Sequence, residues 1–225
     1  GGISFSTSAT VQHVSIADEA GPERAIVQAQ QFRDLDVYTS FDVPDTTSPD
    51  GVEIESGQSL NVQQGSWSIE NGILKSGGSG SPDIITIPFS PNQNWLVEAT
   101  VQSPFGINGE SPIAAVVVEW QDLNNYAWQG LQDSFDTAGD GIGTFHVDSG
   151  TGSSEGVIVN LSKEPTGSLV KIASHVSDTK SNHYLYKPTF GKGPRRQNDP
   201  ITNAVGLIAR KGGARFYNII AKETR

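Results

Sequence analysis

The sequence predicts an all-β protein, a two-sheet antiparallel sandwich. Three observations predict it. Short runs rich in Val, Ile and aromatic residues recur along the chain, each bounded by Gly, Pro, Asn or Ser, as strands and turns are. No stretch sustains the i, i+3, i+4 apolar spacing of an amphipathic helix. About fifteen such runs, punctuated by regular turn signals, are what two packed antiparallel sheets require.

Taken in order, the first strands fall near Val11–Ile16, Ala25–Gln30 and Asp36–Phe41, before a long turn or linker at Pro44–Pro49. Residues 1–44 thus form an N-terminal β extension, paired with the sandwich or with a neighbouring unit, and residues 45–225 form the sandwich itself. Trp67–Glu70 and Ile73–Ser76 flank Asn71-Gly72. Asn and Gly both tolerate the positive φ angles of a type I′ turn, so this is a tight hairpin. Strands follow at Ile84–Pro88, Trp95–Gln102, Ile113–Trp120, Ala127–Gln132 and Thr144–Val147. The last are Val157–Leu161, Val170–His175, His183–Lys187, Ala204–Ala209 and Arg215–Ala221.

Composition narrows the function classes. The 225 residues include 25 Gly and 12 Pro but no Cys, which leaves neither disulfides nor thiolate metal sites. No apolar run approaches the roughly 18 residues of a membrane span. The absence of Met and the start at Gly1-Gly2 suggest a piece processed from a longer precursor. Net charge is −10 and unevenly spread: residues 1–160 carry −18 and residues 161–225 carry +8. An acidic chain repels phosphate, so nucleic acid is not an expected partner. The polarity has two readings. Basic strands lie beside acidic ones within one domain, or opposite-charge faces dock subunit to subunit in self-association.

Three segments in order resemble the concanavalin A-like, laminin G-like superfamily of jelly-roll sandwiches. Gly65-Ser66-Trp67-Ser68-Ile69-Glu70-Asn71-Gly72-Ile73-Leu74 is similar to its opening hairpin. Ala115 to Tyr126, ending Asp122-Leu123-Asn124-Asn125-Tyr126, is similar to its strand and D-x-N-N-Y turn. Ala204-Val205-Gly206-Leu207-Ile208-Ala209 with Ala214-Arg215-Phe216-Tyr217-Asn218-Ile219-Ile220 is similar to its closing strands. The resemblance implies a fold that hosts lectins, glycan-binding modules, glycosidases and structural domains of phages or cell surfaces.

A sugar site needs an aromatic ring to stack on C–H faces and polar side chains to bond hydroxyls. The ten residues Trp120 to Gln129 concentrate that chemistry, and Trp120, Asp122, Asn124, Asn125, Tyr126 and Trp128 are the expected ligand-binding residues. Tyr184 and Tyr186 mark a second aromatic strand face. Asp133, Asp136 and Asp140 gather three carboxylates around a glycine turn, hard oxygen ligands suited to Ca²⁺. Calcium bound at loops is also what the laminin G-like resemblance implies.

Catalytic strings are weak by comparison. Retaining glycosidases of the fold the chain resembles carry an E-x-D-x-E strand that sets two carboxylates on one face. Here Glu53-Ile54-Glu55 has the alternation but no middle Asp, and Glu119 with Asp122 reads as a strand-to-turn junction. His13, His146, His175 and His183 show no zinc-protease spacing. The leading expectation is a non-catalytic carbohydrate-recognition domain, extracellular, on a cell surface or on a virion, with a glycan or polysaccharide as partner. A structural subunit of a virion, tail or surface filament comes second, and a polysaccharide-cleaving glycosidase third.

Overall fold

The structure, a computed structural model, describes residues 35–78, 81–92, 94–102, 113–132, 141–158, 167–177, 180–187, 189–192, 202–211 and 213–224. The chain divides into two units, residues 1–35 and 36–225. The first, Leu35 apart, lies outside the described residues, and with it the strands expected at Val11–Ile16 and Ala25–Gln30. Among the described residues no helix is long and apolar enough to cross a membrane.

All regular structure described in the second unit is β, arranged as two antiparallel sheets. One is built from β1 (Val37–Thr39), β3 (Trp67–Glu70), β4 (Ile73–Ser76), β6 (Asn94–Gln102), β11 (Leu169–Ser177), β12 (Lys180–Lys187), β13 (Thr189–Lys192) and β15 (Arg215–Thr224). Its order is β13-β12-β11-β6-β15-β4-β3, with β1 also paired to β15. The other holds β2 (Asn61–Gln64), β5 (Asp83–Pro88), β7 (Ile113–Asp122), β8 (Asn125–Gln132), β9 (Gly141–Asp148), β10 (Thr151–Ile158) and β14 (Ala204–Arg210). It runs β10-β9-β8-β7-β14-β5-β2, so the fold is the expected all-β sandwich.

Alternation builds the core between the sheets. Along β6, Trp95, Val97, Ala99 and Val101 turn inward while their neighbours are partly open. They meet Val116 and Val118 of β7, Leu207 of β14 and Ile85 and Ile87 of β5 in one cluster. Two polar ties cross this layer. Trp95 Nε1 donates to the Val118 carbonyl at 3.0 Å, and the Ser174 hydroxyl bonds Gln129 Oε1.

The central strands of the seven-stranded sheet are buried on their other face as well. Ile84, Ile113, Ala115, Val117, Trp120, Trp128, Ala204 and Ile208 form a second cluster there. A strand covered on both sides has no reason to alternate, and Ile113 to Val118 is an unbroken apolar run.

The Asn71-Gly72 turn is as expected, with φ of 52° and 69°, the two positive angles of type I′. A Lys75–Glu70 ion pair spans the same hairpin. Other expectations change. The strand expected over Asp36–Phe41 shortens to Val37–Thr39, because Phe41 takes a φ of 58° and leaves the strand. Val37, Tyr38 and Thr39 pair with Ala221, Ile220 and Ile219, so this part of the expected extension joins the C-terminal strand. Pro44–Pro49 is no free linker: Thr46 exchanges backbone bonds of 2.9 and 2.8 Å with Ile69. Two strands were not expected, β2 and β13, and β2 reads Asn-Val-Gln-Gln with almost no apolar signal.

Strands β11 and β15, from the basic last third, flank β6 from the acidic part. Lys171 Nζ meets Glu98 Oε1 at 2.6 Å across that boundary.

Candidate functional site

The expected ligand residues lie on the β7–β8 hairpin, and the structure divides them into two groups. Trp120 and Tyr126 are register partners whose ring centroids stand 5.6 Å apart at 39°. Trp128 and Phe145, partners across β8 and β9, stack at 5.8 Å and 21°. Four aromatics thus form two cross-strand pairs on the face away from the inter-sheet core, as such pairs favour. Trp120 is 5% and Trp128 3% exposed. The free indole faces expected for a sugar are therefore not what the structure presents. Both rings are packed because the sheet is buried on both sides.

Tyr126 is half-buried, and that burial raises its phenol pKa above the usual tyrosine value.

The polar group sits at the open tip. Asp122 Oδ1 accepts from the Asn124 backbone N–H at 2.7 Å and from Asn125 Nδ2 at 3.1 Å, closing the turn on itself. Asn125 Oδ1 accepts from the Ser149 N–H at 3.1 Å, and the Gly150 N–H donates to the Asn124 carbonyl at 2.9 Å. Ser149 and Gly150, with φ of 50° and 77°, form the β9–β10 turn. The two hairpin tips are therefore laced together, and Asp122, Asn124, Asp148 and Ser149 lie exposed side by side. Sequence reasoning missed this second turn. Its Ser-Gly pair, closing a hairpin between two strand patterns, was the available signal.

The remaining candidates separate clearly. Asp133, Asp136 and Asp140 lie outside the described residues, as do the side chains of Tyr184, Tyr186 and His183. Among the described residues no group of three or more His, Asp or Glu is placed to hold a metal ion. Glu119 is buried at 6% exposure, whereas Asp122 is exposed, so the two do not share one environment.

Glu55 braces a loop. Its Oε1 accepts from the Ser40 N–H at 2.8 Å, the Ser40 hydroxyl at 2.6 Å and the Asp42 N–H at 3.3 Å. Burial pulls its pKa up, but bonds from Ser40, Thr39 and the backbone outweigh this and leave it below 4.5. A lowered folded-state pKa stabilises the fold above the unfolded-state value, and this stabilisation is lost as pH falls through the folded one. Glu55→Gln is expected to lower stability at neutral pH by under about 1 kcal/mol, since solvent screens the group. It should also flatten the stability profile below pH ~5, read by urea unfolding at stepped pH. An unchanged acid limb would remove Glu55 from the brace.

The fold is shared with carbohydrate-binding modules. The module CBM66 from Bacillus subtilis superposes with a TM-score of 0.59 at 14% identity, covering 80% of this chain and 100% of the module. The CBM2 module of the evolved Dit of Lactobacillus casei BL23 phage J-1 matches at 0.53 and 14%, over 84% and 94% of the two chains. The exoplasmic/lumenal domain of VIP36, in a form bound to Ca²⁺ and Man3GlcNAc, matches at 0.53 and 9%, over 75% and 83%. No family model matches the chain, and no curated protein sequence does.

Proposed function

We propose that the protein is a non-catalytic carbohydrate-recognition domain that works outside the cell, on a cell surface or on a virion. The observation that carries this reading is the match to a carbohydrate-binding module over that module's whole length.

The glycan contacts belong at the laced hairpin tips. There the exposed Asp122 carboxylate and Asn124 amide lie beside Asp148 and Ser149, with the half-buried Tyr126 next along β8. Asn125 holds the two tips in register. Trp120 and Trp128 back the site from the packed face. Calcium at Asp133, Asp136 and Asp140, in the sequence that follows β8, is part of the same proposal, and those carboxylates supply the hard oxygens it takes.

A glycan array on the full chain, followed by calorimetry with and without Ca²⁺, tests the reading. Asn124→Ala and Tyr126→Ala are each expected to weaken the best array hit about tenfold or more, with unchanged circular dichroism. No saturable binding to any glycan would sink the proposal.

A second reading has its own support. A structural subunit of a virion, tail or filament is favoured by the −18 and +8 charge segments and by the likeness to a module of a phage protein. Light scattering after size exclusion tests it: a large oligomer dissolved by salt supports docking of opposite charges. A monomer at every ionic strength excludes it.

A further inference from the structure

We propose that the sandwich holds an ordered internal water between its sheets, bridging Gln129 on β8 and Thr144 on β9. The two residues are register partners on adjacent strands, so their side chains share one face. That face is the inner one: Gln129 lies between Ala127 and Leu131 of the inter-sheet cluster and bonds Ser174 on β11 of the opposite sheet. Gln129 is 2% exposed, and Thr144 and Ser174 are 0% exposed.

Gln129 Nε2 and Thr144 Oγ1 are fully enclosed and have no hydrogen-bond partner among the described residues. Natural proteins seldom leave such groups unpaired, because each forfeits its bond to solvent. A water fits both. It accepts from the Gln129 amide and exchanges a bond with the Thr144 hydroxyl. Two to four polar partners are what an internal water needs. The surrounding side chains are short, Ala127 on the same strand and Val116 opposite Gln129. Here Gln129, Thr144 and Ser174 bring buried polar side chains from three strands together within the layer.

A high-resolution crystal structure of the full chain tests the site. Density for one water is expected within about 3 Å of both Nε2 and Oγ1. Thr144→Val and Gln129→Met each remove one anchor, and each is expected to raise the unfolding constant about tenfold. The double variant removes the need for the water, so its effect should fall well short of the hundredfold that additivity gives. Should a variant fail to fold, water-to-amide cross-relaxation at the Gln129 side chain reads the same bridge in the native protein. No water density, with both atoms bonded to protein groups instead, overturns the proposal, and so does an additive double variant.

Discussion

Trp128→Ala should destabilise the fold by about 3–5 kcal/mol, the range for truncating a large buried aromatic. For a unit of this size that lowers the thermal midpoint by about 10 °C. The indole is 3% exposed, stacks on Phe145, and is packed among Ile84, Ala115, Val117 and Ile208 on the outer face of the seven-stranded sheet. Its loss leaves a cavity between strands whose backbones are fixed by the ladder, so the site cannot collapse to refill it. Trp120→Ala should act in the same direction, and it also frees Tyr126 from its cross-strand partner. Exposed sugar-binding rings, the expectation for both residues, would instead cost glycan binding and spare the fold. The structure reverses that order, with the fold failing first. Urea unfolding decides the matter. An unchanged midpoint for Trp128→Ala would mean that the ring is not packed and is available to a ligand. Trp128→Phe should recover much of the loss if packing is the role.

What was legible follows from which physical rule each element obeys. The β3–β4 hairpin was readable residue by residue, because Asn71-Gly72 fixes the turn and the turn fixes the register. Strand β2 was not. Its Asn-Val-Gln-Gln is held by pairing with β5 and by the Asp50 carboxylate on the Val62 N–H, contacts distant in sequence that no local pattern announces. The aromatic pairs show a different limit. Alternation says which residues share a face of a strand, but not whether that face meets water. Here the neighbouring run did hold the answer. Ile113 to Val118 does not alternate at all, and that is the pattern of a sheet covered on both sides. The polar tip residues are close in sequence, and the structure gathers them on one turn. Their binding to one another depends on β9–β10 arriving alongside, a tertiary event.

The same logic explains why the opening hairpin begins with a glycine, and it gives the second large effect. Asp83, on β5, is fully buried, and its carboxylate accepts from the Ser66 N–H at 3.3 Å and the Gly78 N–H at 3.1 Å. It thereby clamps both ends of the β3–β4 hairpin to the opposite sheet. The carboxylate occupies the space where a side chain at Gly65 would begin, since a Cβ there would stand 1.8 Å from Asp83 Oδ1. Gly65 also has a φ of 79°, which few other residues tolerate. Asp83→Ala orphans two backbone donors and should cost about 3 kcal/mol. Gly65→Ala should cost a similar amount through overlap and left-handed strain. Together they should cost clearly less than the sum, because removing the carboxylate opens room for the new methyl. The relief is partial, as that Cβ would still lie 2.8 Å from the Asp83 Cα. A double-mutant cycle in urea measures the coupling. Strict additivity would show that carboxylate and glycine do not share this space, and that the glycine is required for its dihedral angle alone.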